Sequence, residues 1–457
     1  MSLNRRQFLC SAAAAVAWPA VARGSTDSIT LEARPDRKQL VPAEFGDHPE
    51  TGVWGFNGSV PGPLIRGKQG EMIRPRLVNA LPQPTAVHWH GLRVPNEMDG
   101  VPGITQDAVP KGGFFQYELP LKDAGTYWYH SHNQSQEQVA RGLYGLLVVD
   151  EPDPVEVDHD IAVVLDDWRL TQGAQIAENF GAMHDWTHAG RLGNFVHAKL
   201  TPHPDAFSKN QRLRLRFVNV ATDRIMEVSL HGVSGKLVAR DGMPLLQPED
   251  LDVMVFGPAE RADVIVDVTG ETVQLVMHER DTGYLLEEFP VKGQHSAVPR
   301  DPVTPLPPNP IHRINSLEGA RKLPLLMEGG AMGGLRQGIY KGKQMSVREL
   351  VDAGQVWTFN GVAGLPEEPF LIAERGELIR IPITNDTVFA HAMHMHGTHF
   401  QEVLPDGRFG PLRDTLLVQP REIREIAFIP DNPGDWLLHC HMLSHQAAGM
   451  KTWLRVL

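Results

Sequence analysis

A chain of 457 residues is too long for one hydrophobic core, so two to four domains are expected. Its 42% hydrophobic and 21% charged content fits a globular protein in water, and a net charge of −12 with no basic patch argues against a nucleic-acid partner. No apolar run outside the N-terminus reaches bilayer-spanning length, which argues against a membrane protein, and 43 Gly and 36 Pro favour many short strands joined by turns.

The chain opens on Arg5-Arg6-Gln7-Phe8-Leu9, an Ala-rich apolar stretch, and the small-residue site Ala20-Val21-Ala22. Residues 1–22 therefore read as a signal peptide of the twin-arginine type, with a periplasmic or secreted destination. Cleavage after Ala22 also removes Cys10, leaving Cys440 as the single thiol and no internal disulfide. A lone thiol in an oxidising compartment calls for burial or ligation.

Next comes a pattern that occurs twice. Trp54-Gly-Phe56-Asn57-Gly58, Gly70-Glu71-Met-Ile73-Arg74, Asn79 and His90-Gly91 recur in the same order as Trp357-Thr-Phe359-Asn360-Gly361, Gly376-Glu377-Leu-Ile379-Arg380, Asn385 and His396-Gly397. Gly125-Thr-Tyr-Trp-Tyr-His130 likewise matches Gly434-Asp-Trp-Leu-Leu-His439, so the chain contains an internal duplication. A third copy lies between. Its Arg212-Leu-Arg214-Leu-Arg216-Phe-Val-Asn219 alternates like a half-exposed strand. It leads to Ser229-Leu230-His231-Gly232 and then to a later strand, 262–268, without histidine. The middle copy has kept the fold and lost the ligands. Three consecutive all-β Greek-key sandwiches are expected, at 23–150, 151–296 and 323–457. The 297–322 linker between the last two holds six prolines within 297–310. Within the third, 327–345 carries Met327, Met332 and Met345 among glycines and reads as a mobile loop or hairpin.

Four His-x-His pairs stand out: His88/His90, His130/His132, His394/His396 and His439/His441. With 21 histidines, composition alone gives roughly one such pair. Four pairs at matching places in a duplicated domain point to metal ligation, at the interface where the first domain meets the third. Eight imidazoles suffice for three metal ions with positions left for a small ligand. If 436–441 is a strand, His439 and His441 face one way and Cys440 the other. Cys440 then needs its own partners, and His391, His445 and Met450 complete the ligand set of a blue-copper centre.

His88-Trp-His90-Gly91, Tyr127-Trp-Tyr-His130-Ser-His132, His391-Ala-Met-His394-Met-His396-Gly397 and His439-Cys440-His441-Met-Leu-Ser-His445 resemble the four copper-binding motifs of the multicopper oxidases, and the resemblance spans all three domains. It implies cupredoxin-like domains and four copper ions. One type 1 copper falls to His391, Cys440, His445 and Met450, and a type 2 copper to His88 and His394. The type 3 pair falls to His90, His130, His132, His396, His439 and His441. The implied activity passes single electrons from a small reducing substrate to O2, which is reduced to water. Asp99 matches the acidic residue that family members use near the cluster to deliver protons. Ser444 stands where many bacterial relatives carry Glu, a departure in the proton path. Three functions stay open: a laccase acting on phenols or aromatic amines, a cuprous-ion oxidase using the methionines as soft ligands, and a copper-free cell-division or scaffold protein that would have lost its ligands. The chain is expected to act as a monomer. His184 and His188 have helical metal spacing but lack a third ligand, so they read as ordinary surface or core residues.

Overall fold

The computed structural model describes residues 22–23 and 29–457. The export segment, with Arg5, Arg6 and Cys10, lies outside them apart from Ala22. The chain is all-β, built from three cupredoxin-like sandwiches in sequence. In the first, a sheet ordered Ile65–Lys68, Tyr144–Asp150, Gly125–Ser131, Val87–His90 packs on one ordered Thr51–Phe56, Thr30–Lys38, Arg76–Asn79, Phe114–Gln116. Alternate side chains of both sheets meet in a core that includes Leu31, Leu77, Val87, Tyr129 and Leu147. The third repeats this plan. Its sheet of Leu371–Ala373, Lys451–Val456, Gly434–Cys440, His391–Met395 and Thr415–Val418 corresponds to the histidine-bearing sheet of the first. No helix among the described residues is long and apolar enough to cross a membrane.

The repeated sequence signals have local causes. Asn57-Gly58 and Asn360-Gly361 have φ of 54° and 68°, and of 48° and 78°, the positive pair that a tight hairpin turn needs and that Asn and Gly tolerate. Asn79, Asn219 and Asn385, one per sandwich, are buried at a strand end. Each carboxamide accepts from the backbone N–H two residues on and donates to carbonyls of the connecting loops. A residue with one acceptor and two donors closes this corner without leaving a buried group unpaired.

The middle sandwich departs from expectation in two places. Arg214 and Arg216 are not on a half-exposed face: both are 1% exposed. Their strand, Arg212–Asn219, turns its charged side to the first sandwich. There Arg216 meets Asp160 and Asp263, and Arg214 meets Glu151 and Asp263. Thr126 of the first sandwich donates to Asp263 at 2.6 Å. The alternation was real, but counter-charges replaced water. Second, the strand Arg261–Val268 pairs with Arg212–Asn219 in the other sheet. The strand beside Met226–His231 is Thr272–Glu279, which carries His278. Ser229 Oγ lies 3.0 Å from His231 Nε2 and 2.8 Å from His278 Nε2.

Residues 297–320 run without regular strand: Leu306 packs on Val238, Ala239 and Ile265 of the middle sandwich, and Asn309 exchanges hydrogen bonds of 2.8 Å with both backbone groups of Ala124 in the first. In the 327–345 segment, Gln337–Tyr340 and Lys343–Ser346 form the hairpin. Met327, however, is no loop residue: it lies in the strand Leu325–Gly329, fully buried in the third core.

Replacing Arg216 by Ala leaves Asp160 and Asp263 short of a buried partner. It is expected to destabilise the folded chain by about 3–5 kcal/mol, the scale for breaking a buried ion pair from one side. Denaturant unfolding against Arg212→Ala, whose charge is partly solvated, checks this: equal losses for the two would contradict the buried network.

Candidate metal centre

Backbone register assembles the histidines. Gly125–Ser131 runs antiparallel to Val87–His90 and sets His130 opposite His88. In the third sandwich, Gly434–Cys440 pairs with His391–Met395 and sets His439 opposite His394. The rings of the two sheets then meet at the interface of the first and third sandwiches. Across that interface His90 stacks on His394 with centroids 3.8 Å apart, and His88 on His396 at 3.9 Å. Gly91 and Gly397 follow the pairs at φ +87° and +73°. A Cβ at Gly397 would sit 2.2 Å from the Trp436 indole, and one at Gly91 2.3 Å from Arg261. The glycine of each His-x-His-Gly motif is required by conformation and by space.

All eight imidazoles are buried. Candidate ligand atoms gather within 4.8 Å of one another in three all-histidine sets: His90, His130 and His441; His132, His396 and His439; and His88 and His394 together with His90; the Asp99 carboxylate also gathers with His88 and His396. A fourth set, His391, Cys440 and His445, stands apart. Met450 is fully buried in the same core as Cys440, and its carbonyl accepts from Cys440 N at 3.1 Å.

Hydrogen bonding fixes which nitrogens are bare. His396 Nδ1 lies 2.8 Å from the Asp99 carboxylate, and His439 Nδ1 lies 2.8 Å from the Cys440 carbonyl. Both oxygens can only accept, so both Nδ1 atoms carry the proton and both Nε2 atoms are lone pairs. Those lone pairs face each other at 3.2 Å. Inward nitrogens of His88, His132 and His394 have no hydrogen-bond partner. At the second site, His445 Nε2 donates to the His188 carbonyl at 2.7 Å, which leaves its Nδ1 bare, 3.1 Å from His391 Nδ1. Cys440 Sγ lies 3.7 and 3.8 Å from these two nitrogens. Burial pushes the Cys440 thiol up, so only a cation beside it makes it a thiolate. Buried lone pairs that converge on one point, unpaired, are what a soft or borderline cation requires, and two nitrogens with one sulfur suit copper.

Side chains that the sequence did not single out hold these rings. Asp414 Oδ1 lies 3.1 Å from His90, and its backbone carbonyl accepts from His394 Nδ1 at 2.9 Å. Arg261 of the middle sandwich clamps the carboxylate with bonds of 2.7 and 2.6 Å. Burial opposes ionisation of Asp414, but the Arg261 guanidinium and His90 hold its carboxyl well below the usual range. Asp99 is 1% exposed; its backbone carbonyl holds His88 and its carboxylate holds His396, so it ties a first-sandwich ring to a third-sandwich one. Ser444 donates to Asp223 at 2.8 Å and accepts from Gln136 at 2.8 Å, joining all three sandwiches. Burial pushes Asp223 up to about 6. No motif marks Asp414, Arg261, Asp223 or Gln136, whereas Asp99 and Ser444 stand out in the sequence.

Two models of the family described as multicopper oxidase match residues 39–154 and 340–457. The solved structure of Lac15 from a marine microbial metagenome is 43% identical, with 94% of this chain and all of that one covered, at a TM-score of 0.78. The chain belongs to the multicopper oxidases. Other relatives are the multicopper oxidase MmcO of Mycobacterium tuberculosis, 29% identical over 94% of this chain and 87% of its own, and copper resistance protein A of Pseudomonas syringae pv. tomato, 26% identical over 88% and 89%. The middle sandwich of this multicopper oxidase lies between the two matched segments. It contributes no residue to the four ligand sets, yet it supplies Arg261, the His188 carbonyl and Asp223.

The buried rings also set a pH dependence. Burial, with help in most cases from neighbouring imidazoles, lowers the pKa of His90, His130, His132, His391, His394, His396, His439, His441 and His445. In the unfolded chain a His protonates near about pH 6.5. Below that the unfolded state binds more protons than the folded one, so stability rises with pH and falls as acid is added. The copper-stripped oxidase is expected to lose thermal stability steadily from about pH 6.5 towards 5. A melting temperature that stays level across this range in the stripped protein would contradict neutral, buried rings.

Proposed function

We propose that the protein is a laccase-type oxidase that couples one-electron oxidation of phenols or aromatic amines to the four-electron reduction of O2 to water. Cys440, His391, His445 and Met450 hold one type 1 copper. His88 and His394 hold the type 2 copper, and the three-histidine sets hold the type 3 pair. Bound copper supplies the one-electron steps and the site of O2 reduction. The observation that carries the reading is the run His439-Cys440-His441, which joins the two metal sites through adjacent residues of one strand end. Asp99 holds His396 in place and is the carboxyl nearest that ring, which suits it to proton delivery during O2 reduction. Burial keeps bulk water from the converging nitrogens, and Arg261 keeps Asp414 charged beside His90.

A cuprous-ion substrate is the second reading. A copper resistance protein among the relatives favours it. The burial of Met327 weighs against it, because the methionine set thought to bind Cu(I) loses a member to the core.

Copper loading should give about four ions per chain and the intense blue absorption of a Cu–thiolate. Cys440→Ser should lose the colour and about one copper while keeping the other three. A colourless wild type after loading would end the oxidase reading. Oxygen uptake with a phenol against uptake with Cu(I) separates the two substrates. Export by the twin-arginine route to the periplasm or beyond is part of the proposal, and it rests on Arg5-Arg6-Gln7-Phe8-Leu9. Replacing both arginines by lysine should hold the protein in the cytoplasm, as fractionation would show.

A further inference from the structure

The outer side of the Cys440 site is closed by the middle sandwich. The short helix Met183–Thr187 and His188 behind it lie across His445. His445 is fully buried, and the nitrogen it turns away from Cys440 is spent on the His188 carbonyl. Trp357, whose ring centroid lies 4.5 Å from that of His445, donates its indole N–H to the Trp186 carbonyl at 2.6 Å. Both aromatic groups on the outer side of the site are thus fastened to the backbone of one helix. A donor from solvent cannot touch the edge of His445.

What solvent does meet is the other side of this helix. His184 is exposed and His188 half-buried. Their rings stack with centroids 4.1 Å apart and planes 9° from parallel, and Phe389 packs edge-on to His188 at 5.7 Å. His188 Nδ1 lies 3.2 Å from the His184 carbonyl, a contact that holds the ring against the helix.

We propose that aromatic donors dock on the face made by His184, His188 and Phe389, and that the electron crosses the hydrogen bond from the His188 carbonyl to His445. The proposal rests on the laccase reading and deepens it. A flat, stacked imidazole pair with an aromatic edge beside it suits a phenol ring, which gains by offset or edge-on packing. A phenol losing one electron also loses its O–H proton. Solvent at this exposed face takes up that proton, the electron goes inward to the Cys440 site and finally to O2, and a phenoxyl radical leaves. The hydrogen bond to the His184 carbonyl holds the ring whose backbone carries the electron, so docking and electron entry fall on one residue.

The test uses the copper-loaded full chain with His184→Ala, His188→Ala and the double variant, and His184→Gln with His188→Gln as polar replacements that keep the helix. Two readouts are taken. Equilibrium binding of 4-nitrophenol, a phenol too electron-poor to be oxidised readily, should weaken about fivefold or more in the double variant, the scale of lost aromatic contacts. KM for an electron-rich phenol should rise by a similar factor. With hexacyanoferrate(II), which has neither ring nor proton to give, turnover should fall much less than with the phenol, and the blue absorption should hold. Unchanged 4-nitrophenol binding and unchanged phenol KM in both variant sets would overturn the docking face. Equal losses for the phenol and hexacyanoferrate(II) would overturn it too, by showing general damage to the site. A wild type that reduces O2 with hexacyanoferrate(II) but with no phenol would instead count against the laccase reading, while its 4-nitrophenol binding still judges the face.

Discussion

The structure turns on bare imidazole nitrogens brought face to face. Two buried lone pairs 3.2 Å apart repel, because each ring already spends its N–H on an outward acceptor. The chain accepts that cost because a cation repays it, so binding free energy becomes part of what holds the first and third sandwiches together. Everything nearby serves the arrangement. Strand register sets His130 against His88 and His439 against His394, glycine lets the chain turn away after His90 and His396, and carboxylates or carbonyls pin the outward nitrogens of His88, His90, His130, His394, His396 and His439. A histidine ring with one nitrogen pinned has only one nitrogen left to offer, and it points inward.

The middle sandwich has a different task from the one its sequence suggests. It brings no ligand to the four sets, but each site leans on it. Arg261 reaches over to Asp414 beside His90, Asp223 receives Ser444 next to His445, and the His188 carbonyl takes the outer nitrogen of His445. Its own remnant of the ligand pattern, His231 and His278 bridged by Ser229, marks where a site of the duplicated kind would have been. Losing ligands freed this sandwich to become the partner that fixes the other two.

The fold and the ligands were legible because each signal is short and local. A His-x-His on a strand, an Asn-Gly turn and an Asn at a strand end each work within a few residues, and duplication printed most of them twice. The errors share a cause. Arg214 and Arg216 alternate as a solvent-facing strand does, and nothing in the string says that Asp160, Asp263 and Glu151 replace the solvent. The second strand of the degenerate pair was placed at 262–268 because Thr272–Glu279 has lost its His-x-His mark. Asp414 and Arg261 act at a separation of 153 residues, and the His188 carbonyl is a backbone group that no side-chain pattern can report. The stacking of His184 on His188 was visible as spacing, but its closeness to His445 was not.

The ligand order along the chain has one more consequence. His88, His90, His130 and His132 are made early, and every other ligand lies between His391 and Met450, close to the last residue. During synthesis the first two sandwiches can fold while the third is still unmade. Until its final strands arrive, the interface is a half-site of four imidazoles and Cys440 does not exist. A truncated chain therefore fails to close any of the metal sites with their full ligand sets. The metal sites thus close only once residues 391–450 have been made and have folded onto the first sandwich.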